Sequence, residues 1–306
     1  MTRMLLRGES IEAEVTPGLG MYIVSLRDGD GRELLWQRPD FTPPARTREI
    51  GPPGEPSIET MFELWPGGWF EMSPHAGMPG ELDGRQTMLH GEAARLAWEV
   101  VDSGSAHVEA TVDGVHEPVR LWRRIEANGA ALSLHSRIEN RGTEPIEVCH
   151  GEHPAFARAD YAGARIELRA RRATVLPQPE PGSATAVAGE FEWPLAPAVG
   201  GGTVDLSRVP EQTDGAHDHI TVELADPRMR IVGPDGLAIE IDAGNHPHAL
   251  LWRHHQPPSA PEPRDVFALE PWSYGGVAIA EAVAARATRR LRPGESASFD
   301  SRIVAG

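Results

Sequence analysis

The chain has 306 residues, with 29 basic against 45 acidic side chains and a formal net charge of −16. All of those basic residues are arginine, and the missing lysine excludes Schiff-base and pyridoxal-phosphate chemistry and the phosphate-binding lysine of a P-loop. The acidic balance argues against nucleic acid as a partner, and the single cysteine, Cys149, excludes an internal disulfide framework and a Cys-only zinc site.

The N-terminal segment MTRMLLRGESIEAEV has no apolar run of signal-peptide length, and no stretch approaches the roughly 18–20 apolar residues of a membrane helix. A soluble, cytoplasmic chain without a membrane partner is expected. Gly (32) and Pro (28) are scattered and cut the chain into short runs, the punctuation of an all-β protein. SIEAEV (10–15) alternates, with Ile11, Ala13 and Val15 on one face. Pro39 to Pro56 is proline-rich and reads as a surface loop. HVEATV (107–112) sets Val108, Ala110 and Val112 together. LWRRIEA and ALSLHSRI (121–138) form a hairpin around Asn128-Gly129, the pair suited to a type I′ turn. Asn140-Arg141-Gly142 turns the chain again into IEVCH. Pro177 to Gly202 reads as a second surface loop. Residues 219–243 repeat the hairpin pattern, with Pro234-Asp235-Gly236 as the turn. Residues 278–291 suit a short helix or a loop followed by a strand, and residues 287–304 read as two strands around Pro293-Gly294. No solenoid or propeller period is present. Many short strands at intervals of about 8–12 residues predict one domain over residues 1–306, a large antiparallel β-sandwich or barrel.

Four polar clusters interrupt this pattern: GGWFEMSPHAG (67–77), LHGEAARLAWEV (89–100), EVCHGEHPAFARAD (147–160) and FALEPWSYGG (267–276). His153 precedes a proline, which pushes its backbone toward an extended or turn form at a sheet edge. Histidine exchanges protons near neutral pH. Glu270 follows an apolar run, and burial without a cation would raise its pKa and make it a better base. His90 stands beside Gly91, which allows close approach of backbone and ligand. Each of the three, taken alone, also reads as an ordinary surface or hydrogen-bonding side chain.

In order, these segments resemble the aldose 1-epimerase (galactose mutarotase-like) superfamily over most of the chain. The resemblance rests on His90-Gly91 followed by LAWEV (96–100), LSLHSRIENRG (132–142), His153-Pro154-Ala155-Phe156, Asp218-His219-Ile220 and Glu270-Pro271; GGWFEMSPHAG is similar to the G-W-x-E-x-x-P segment of some members. It implies a galactose mutarotase-like supersandwich whose ligand is a small-molecule carbohydrate, acting as an isomerase with no cofactor and no metal. Glu270 would be the general base on the anomeric hydroxyl and His153 the general acid on the ring oxygen, the two standing on opposite sides of a hemiacetal. His90 would hydrogen-bond the substrate near the ring oxygen and Asp218 would accept bonds from sugar hydroxyls. Trp69, Trp252 and Trp272 offer apolar faces to a sugar ring or pack in the core.

The sequence departs from the family pattern in two places. No N-R segment lies upstream of His90-Gly91, where Trp69, Glu71 and His75 stand instead, and Ala155 replaces the usual aromatic. Arg253, beside Trp252, is the arginine left to contact substrate. Two other readings stay open. His150, Glu152 and His153 lie within four residues, and with His75, His90, His246, His248, His254 and His255 they suggest a metal-dependent sugar isomerase or lyase. In a strand, however, His150 and Glu152 share a face that His153 does not. The other reading is a non-catalytic carbohydrate-binding protein. Monomer and homodimer are both compatible with the charge.

Overall fold

In the hairpin Val119–Asn128 and Ala131–Asn140, apolar residues alternate with polar ones, and Leu121, Ile125 and Ala127 point inward with Arg123 among them. Pairing of Asn128 with Ala131 centres the turn on Gly129-Ala130, one residue later than the sequence suggests. Of the turn residues only Gly129 has positive φ (61°), the pattern of a type II′ rather than a type I′ turn. The computed structural model describes residues 2–39, 41, 61, 64–82, 84–176, 182–186, 189–256, 264–276 and 278–306.

Among these residues the strands join into a 16-stranded antiparallel sheet. Its path runs Met4–Arg7, Ile11–Thr16, Tyr22–Asp28, Trp69–Met72, Gly151–Ala157, Asp265–Trp272, His248–His255, His217–Val232, Ala238–Asp242, Ser296–Ala305, Ala131–Asn140, Val119–Asn128, His107–Asp113 and Glu99–Ser103. Arg165–Val175 also pairs with the long His217–Val232 strand, and Gly189–Phe191 pairs with Arg165–Val175. The sheet bends back on itself. Backbone bonds from Arg7 N–H to Ser105 O and from Ser10 N–H to Gly129 O tie its first strands to turns at its far end. The large core lies inside this bend and includes Leu6, Val15, Trp69, Leu121, Phe156 and Ile241. Full burial of side chains this size contributes about 1.5–3 kcal/mol each.

A second apolar cluster covers the opposite face of the middle strands, with Tyr22, Trp65, Phe70, Trp252 and Trp272 among its members. Those strands are therefore buried on both sides, which is why VFALEPW shows no polar alternation. Elsewhere the sequence expectations meet the structure with local changes. Pro234-Asp235-Gly236 turns between His217–Val232 and Ala238–Asp242. The 278–291 window holds both a helix, Ile279–Ala284, and a strand, Arg289–Leu291. Pro177 to Gly202 is more ordered than a loop, because its described part contains strands Gly189–Phe191 and Leu195–Pro197. Nearly all of Pro39 to Pro56 lies outside the described residues. No described helix is long and apolar enough to cross a membrane.

Candidate active site

The middle strands fix the site by register. Gly151 pairs with Trp272 and Ala155 with Ala268, which sets His153 opposite Glu270. His153 pairs with Phe70 on the next strand, and His219 pairs with Trp252 two strands away. Because side chains alternate, His153, Glu270, Phe70, Trp252, Trp272 and His219 share the face outside the large core. His153 Nε2 lies 3.6 Å from Glu270 Oε1. The His153 ring stacks on Phe70 (4.6 Å between centroids, 18° between planes) and meets Trp65 and Trp252 edge-on.

The two groups titrate in opposite directions for one reason. Burial penalises the charged form of each, so Glu270 is pushed up to about 8 and His153 down to about 3. Trp272 Nε1–H donates to Glu270 Oε2 (2.8 Å) and offsets part of the rise. Glu270 forms no ion pair with Lys or Arg among the described residues. Near neutral pH the pair thus holds one proton, on Glu270. That is the same proton count as the expected carboxylate and imidazolium, with the proton on the other partner.

His90 closes one side. It has φ 58° and is followed by Gly91 at φ 69°. A Cβ on Gly91 would collide with Ser73 O, which also accepts the N–H groups of Glu92 and Ala93. The His90 backbone costs about 1 kcal/mol in this left-handed form. Gly77 N–H donates to His90 Nδ1 (3.3 Å), so the neutral ring carries its proton on Nε2. Burial keeps His90 well below the ordinary histidine range. Its ring lies 5.9 Å from that of His153. His219, pushed down to about 3 by burial and then by the neighbouring His217, stands beyond Trp252.

Five of the ten residues singled out in the sequence share this site: His90, His153, Glu270, Trp252 and Trp272. The other five do not face it. Asp218 lies one residue off the site face. Its Oδ1 accepts from Ser183 Oγ, Thr185 N–H and Thr185 Oγ1 (2.9, 2.8 and 2.6 Å), and its Oδ2 accepts from Arg253 Nη2. Asp218 and Arg253 are therefore paired with each other, off the site face. Trp69 and Glu71 flank Phe70 and point into the large core. Trp69 Nε1–H donates to Glu152 and Glu71 pairs with Arg123. His75 lies 3.8 Å from Glu117, and burial pushes it down to about 4. Likewise His150 and Glu152 take the face opposite His153, as strand alternation requires.

Sequence reasoning missed His219, Phe70, Trp65 and Arg123. His219 was within the quoted Asp218-His219-Ile220 motif, one residue from the position chosen. Arg123 had a clear signal: an arginine at an inward position of an alternating strand, where a buried anion must meet it.

No family model matches this chain, and no curated protein sequence matches it. Solved structures match over the whole chain. A protein of Synechocystis sp. PCC 6803 is 17% identical with TM-score 0.72, over 100% of this chain and 96% of that one. A protein from Escherichia coli K12, provisionally named an aldose 1-epimerase, is 17% identical with TM-score 0.71, over 100% and 99%. A galactose mutarotase related enzyme from Lactobacillus acidophilus is 12% identical with TM-score 0.68, over 100% and 97%. The chain has a galactose mutarotase-like fold. At these identities the likeness establishes the fold alone, and activity has to be argued from the site.

Proposed function

We propose that this protein is an aldose 1-epimerase-like enzyme that interconverts the anomers of a sugar by general acid/base ring opening. The observation that carries the reading is the 3.6 Å approach of His153 Nε2 to Glu270 Oε1, within a site walled by Phe70, Trp65 and Trp252. Two such atoms on one wall suit the two oxygens bonded to a single carbon, the anomeric hydroxyl and the ring oxygen. Acid and base therefore stand side by side, not on opposite sides of the sugar.

Ring opening moves one proton at each oxygen. Glu270 in its ionised form takes the proton of the anomeric hydroxyl, and protonated His153 gives one to the ring oxygen. The C1–O5 bond breaks as the C1 carbonyl forms. Rotation about C1–C2 and the reverse transfers give the other anomer, leaving Glu270 ionised and His153 protonated as at the start. In the free site the proton rests on Glu270, so forming the reactive arrangement shifts it to His153 without exchange with solvent. His90 Nε2–H is a donor for a sugar oxygen, and the rings of Trp252 and Trp65 supply an apolar face and exclude water.

The pair keeps its single proton between the low titration of His153 and the high titration of Glu270. Exchange should therefore fall as pH rises through about 8. The test is anomer exchange by saturation-transfer NMR on a panel of aldoses, deoxy sugars and uronic acids. Exchange by the wild type that vanishes in Glu270→Gln is the expected result. Sugar binding without exchange anywhere on the panel would overturn the enzyme reading in favour of a carbohydrate-binding protein.

A further inference from the structure

Behind His153, on the face turned to the large core, polar side chains of several strands meet in one buried cluster. Arg123 Nη1 donates to Glu71 Oε2 (2.9 Å), Glu152 Oε1 (2.7 Å) and Ser136 Oγ (2.8 Å), and its Nη2 donates to Glu152 Oε2 (2.9 Å). Ser136 Oγ–H lies 3.1 Å from Glu71 Oε2, and Trp69 Nε1–H donates to Glu152 (2.7 Å). His150 Nε2 lies 3.4 Å from Glu71 Oε1 and 3.9 Å from Glu152 Oε1. Its Nδ1 lies 2.9 Å from His246 Nε2, and His246 Nδ1 lies 2.7 Å from the Ala243 carbonyl. The Asp300 backbone also faces His246, and Phe299 stacks on His150 at 4.6 Å. Arg123, Glu71, Glu152, His150 and His246 are all at least nine-tenths buried.

One guanidinium against two carboxylates leaves this cluster one positive charge short. Proton counting along the two imidazoles supplies it. At one end His246 Nδ1 meets a carbonyl, which can only accept, so that nitrogen carries a proton. Between the rings, Nδ1 and Nε2 at 2.9 Å share a second. At the other end His150 Nε2 faces two carboxylate oxygens, and a bare lone pair there would be repelled. A third proton on that nitrogen removes the repulsion, and three protons on two imidazoles make one positive charge.

We infer that His150 and His246 together carry three protons, and that this buried charge, with Arg123, neutralises Glu71 and Glu152 and so fixes the strand that presents His153. The charge sits mainly on His150, nearer the carboxylates. His246 is pushed down to about 3, chiefly by burial. Glu71 is held down near 2: burial opposes its ionisation, but Arg123, then His150 and Ser136, outweigh it. The pair is a positioning element: it touches neither His153 nor Glu270, and acts through Glu152 and through Ser273, whose Oγ accepts from the His150 N–H and whose N–H donates to the His150 carbonyl.

The test starts with nitrogen-15-labelled histidine in the whole wild-type chain at pH 8, where an ordinary imidazole is almost wholly neutral. Both imidazoles meet Phe299, and the one stacked on it, His150, should show both nitrogens protonated; two neutral rings would overturn the inference. In Glu71→Gln, where one anion is gone, the doubly protonated form of the His150 ring should be depleted relative to the wild type at the same pH; an unchanged population overturns charge balancing. The positioning role rests on the proposed epimerase reading. It predicts that Glu71→Gln lowers kcat for anomer exchange about 10-fold with KM held, because the sugar-facing wall is untouched. An unchanged kcat overturns positioning. If the wild type itself shows no exchange, the epimerase reading fails, while the NMR results still decide the charge of the pair.

Discussion

Glu71 and Glu270 are equally buried, each about 1% exposed, and they lie on opposite faces of the same group of middle strands. Glu71 is held near 2 and Glu270 is raised to about 8. Burial pushes both upward, so the difference comes from the neighbours. Arg123, His150 and Ser136 surround Glu71, whereas Glu270 meets the neutral imidazole of His153 and a single indole N–H. The cation-backed side is built to keep its charges fixed. Beside Glu270, which has no arginine partner among the described residues, a proton can move, as a general acid/base pair requires.

The comparison is broken most severely by removing the mobile carboxyl. Glu270→Gln keeps an acceptor for Trp272 but has no titrating oxygen, and anomer exchange should fall about 10²–10⁴-fold. Saturation-transfer NMR measures this directly, and a variant that exchanges at the wild-type rate would remove Glu270 from the reaction. On the opposite face the corresponding cut is Arg123→Met. It leaves two buried carboxylates facing each other and should cost about 3–5 kcal/mol in urea unfolding. Adding Glu71→Gln and Glu152→Gln to that variant should recover most of the loss, because no uncompensated anion is then buried. A destabilisation that the added changes leave untouched would mean Arg123 acts by packing.

How much of this was legible beforehand follows from the period of a strand. The all-β class and the hairpins could be read because turn residues and alternation are local signals, whereas the His153–Glu270 pairing came with the resemblance, through the order of its motifs. The resemblance to known sugar epimerases supplied the roles. The face of each middle strand could not be read from apolar alternation, since both sides are buried and inward and outward positions look alike. That is how Glu71 and Trp69 were assigned to the sugar while Phe70 between them was not, and how Asp218 was chosen over His219. A shift of one residue reverses the face. Arg253 failed for the same reason, because its neighbour Trp252 lines the site while Arg253 turns back to Asp218. The His150–His246 contact joins residues 96 apart in sequence, and no local pattern encodes it.

The same Glu270→Gln variant sharpens the contrast through stability. The Glu270 pKa is raised from 4.5 to about 8 on folding, so the unfolded carboxyl ionises first as pH climbs. The folded protein loses stability across the window from about 4.5 to 8. Glutamine has no such term. The variant should match the wild type near pH 4 and exceed it by about 3 kcal/mol at pH 7, the gap widening toward pH 8. Thermal unfolding at stepped pH reads this, and a constant gap would mean that Glu270 is not held protonated in the fold.

The smallest expected change tests the one polar contact that restrains Glu270. Trp272 Nε1–H lies 2.8 Å from Oε2, and a donor aimed at a carboxylate favours its charged form. Trp272→Phe removes that donor while keeping an aromatic ring against Tyr274, which the indole meets at 5.6 Å. The Glu270 titration should then rise by about one pH unit. The high-pH limb of the exchange profile should move upward with it. Below that limb the rate should fall modestly, because the ionised form that accepts the anomeric proton becomes rarer. A limb that stays in place while the rate falls would show that Trp272 serves the sugar rather than the carboxylate. A limb that moves with little change in KM would assign the indole to tuning the base, with the walls of Phe70, Trp65 and Trp252 left to hold the ring.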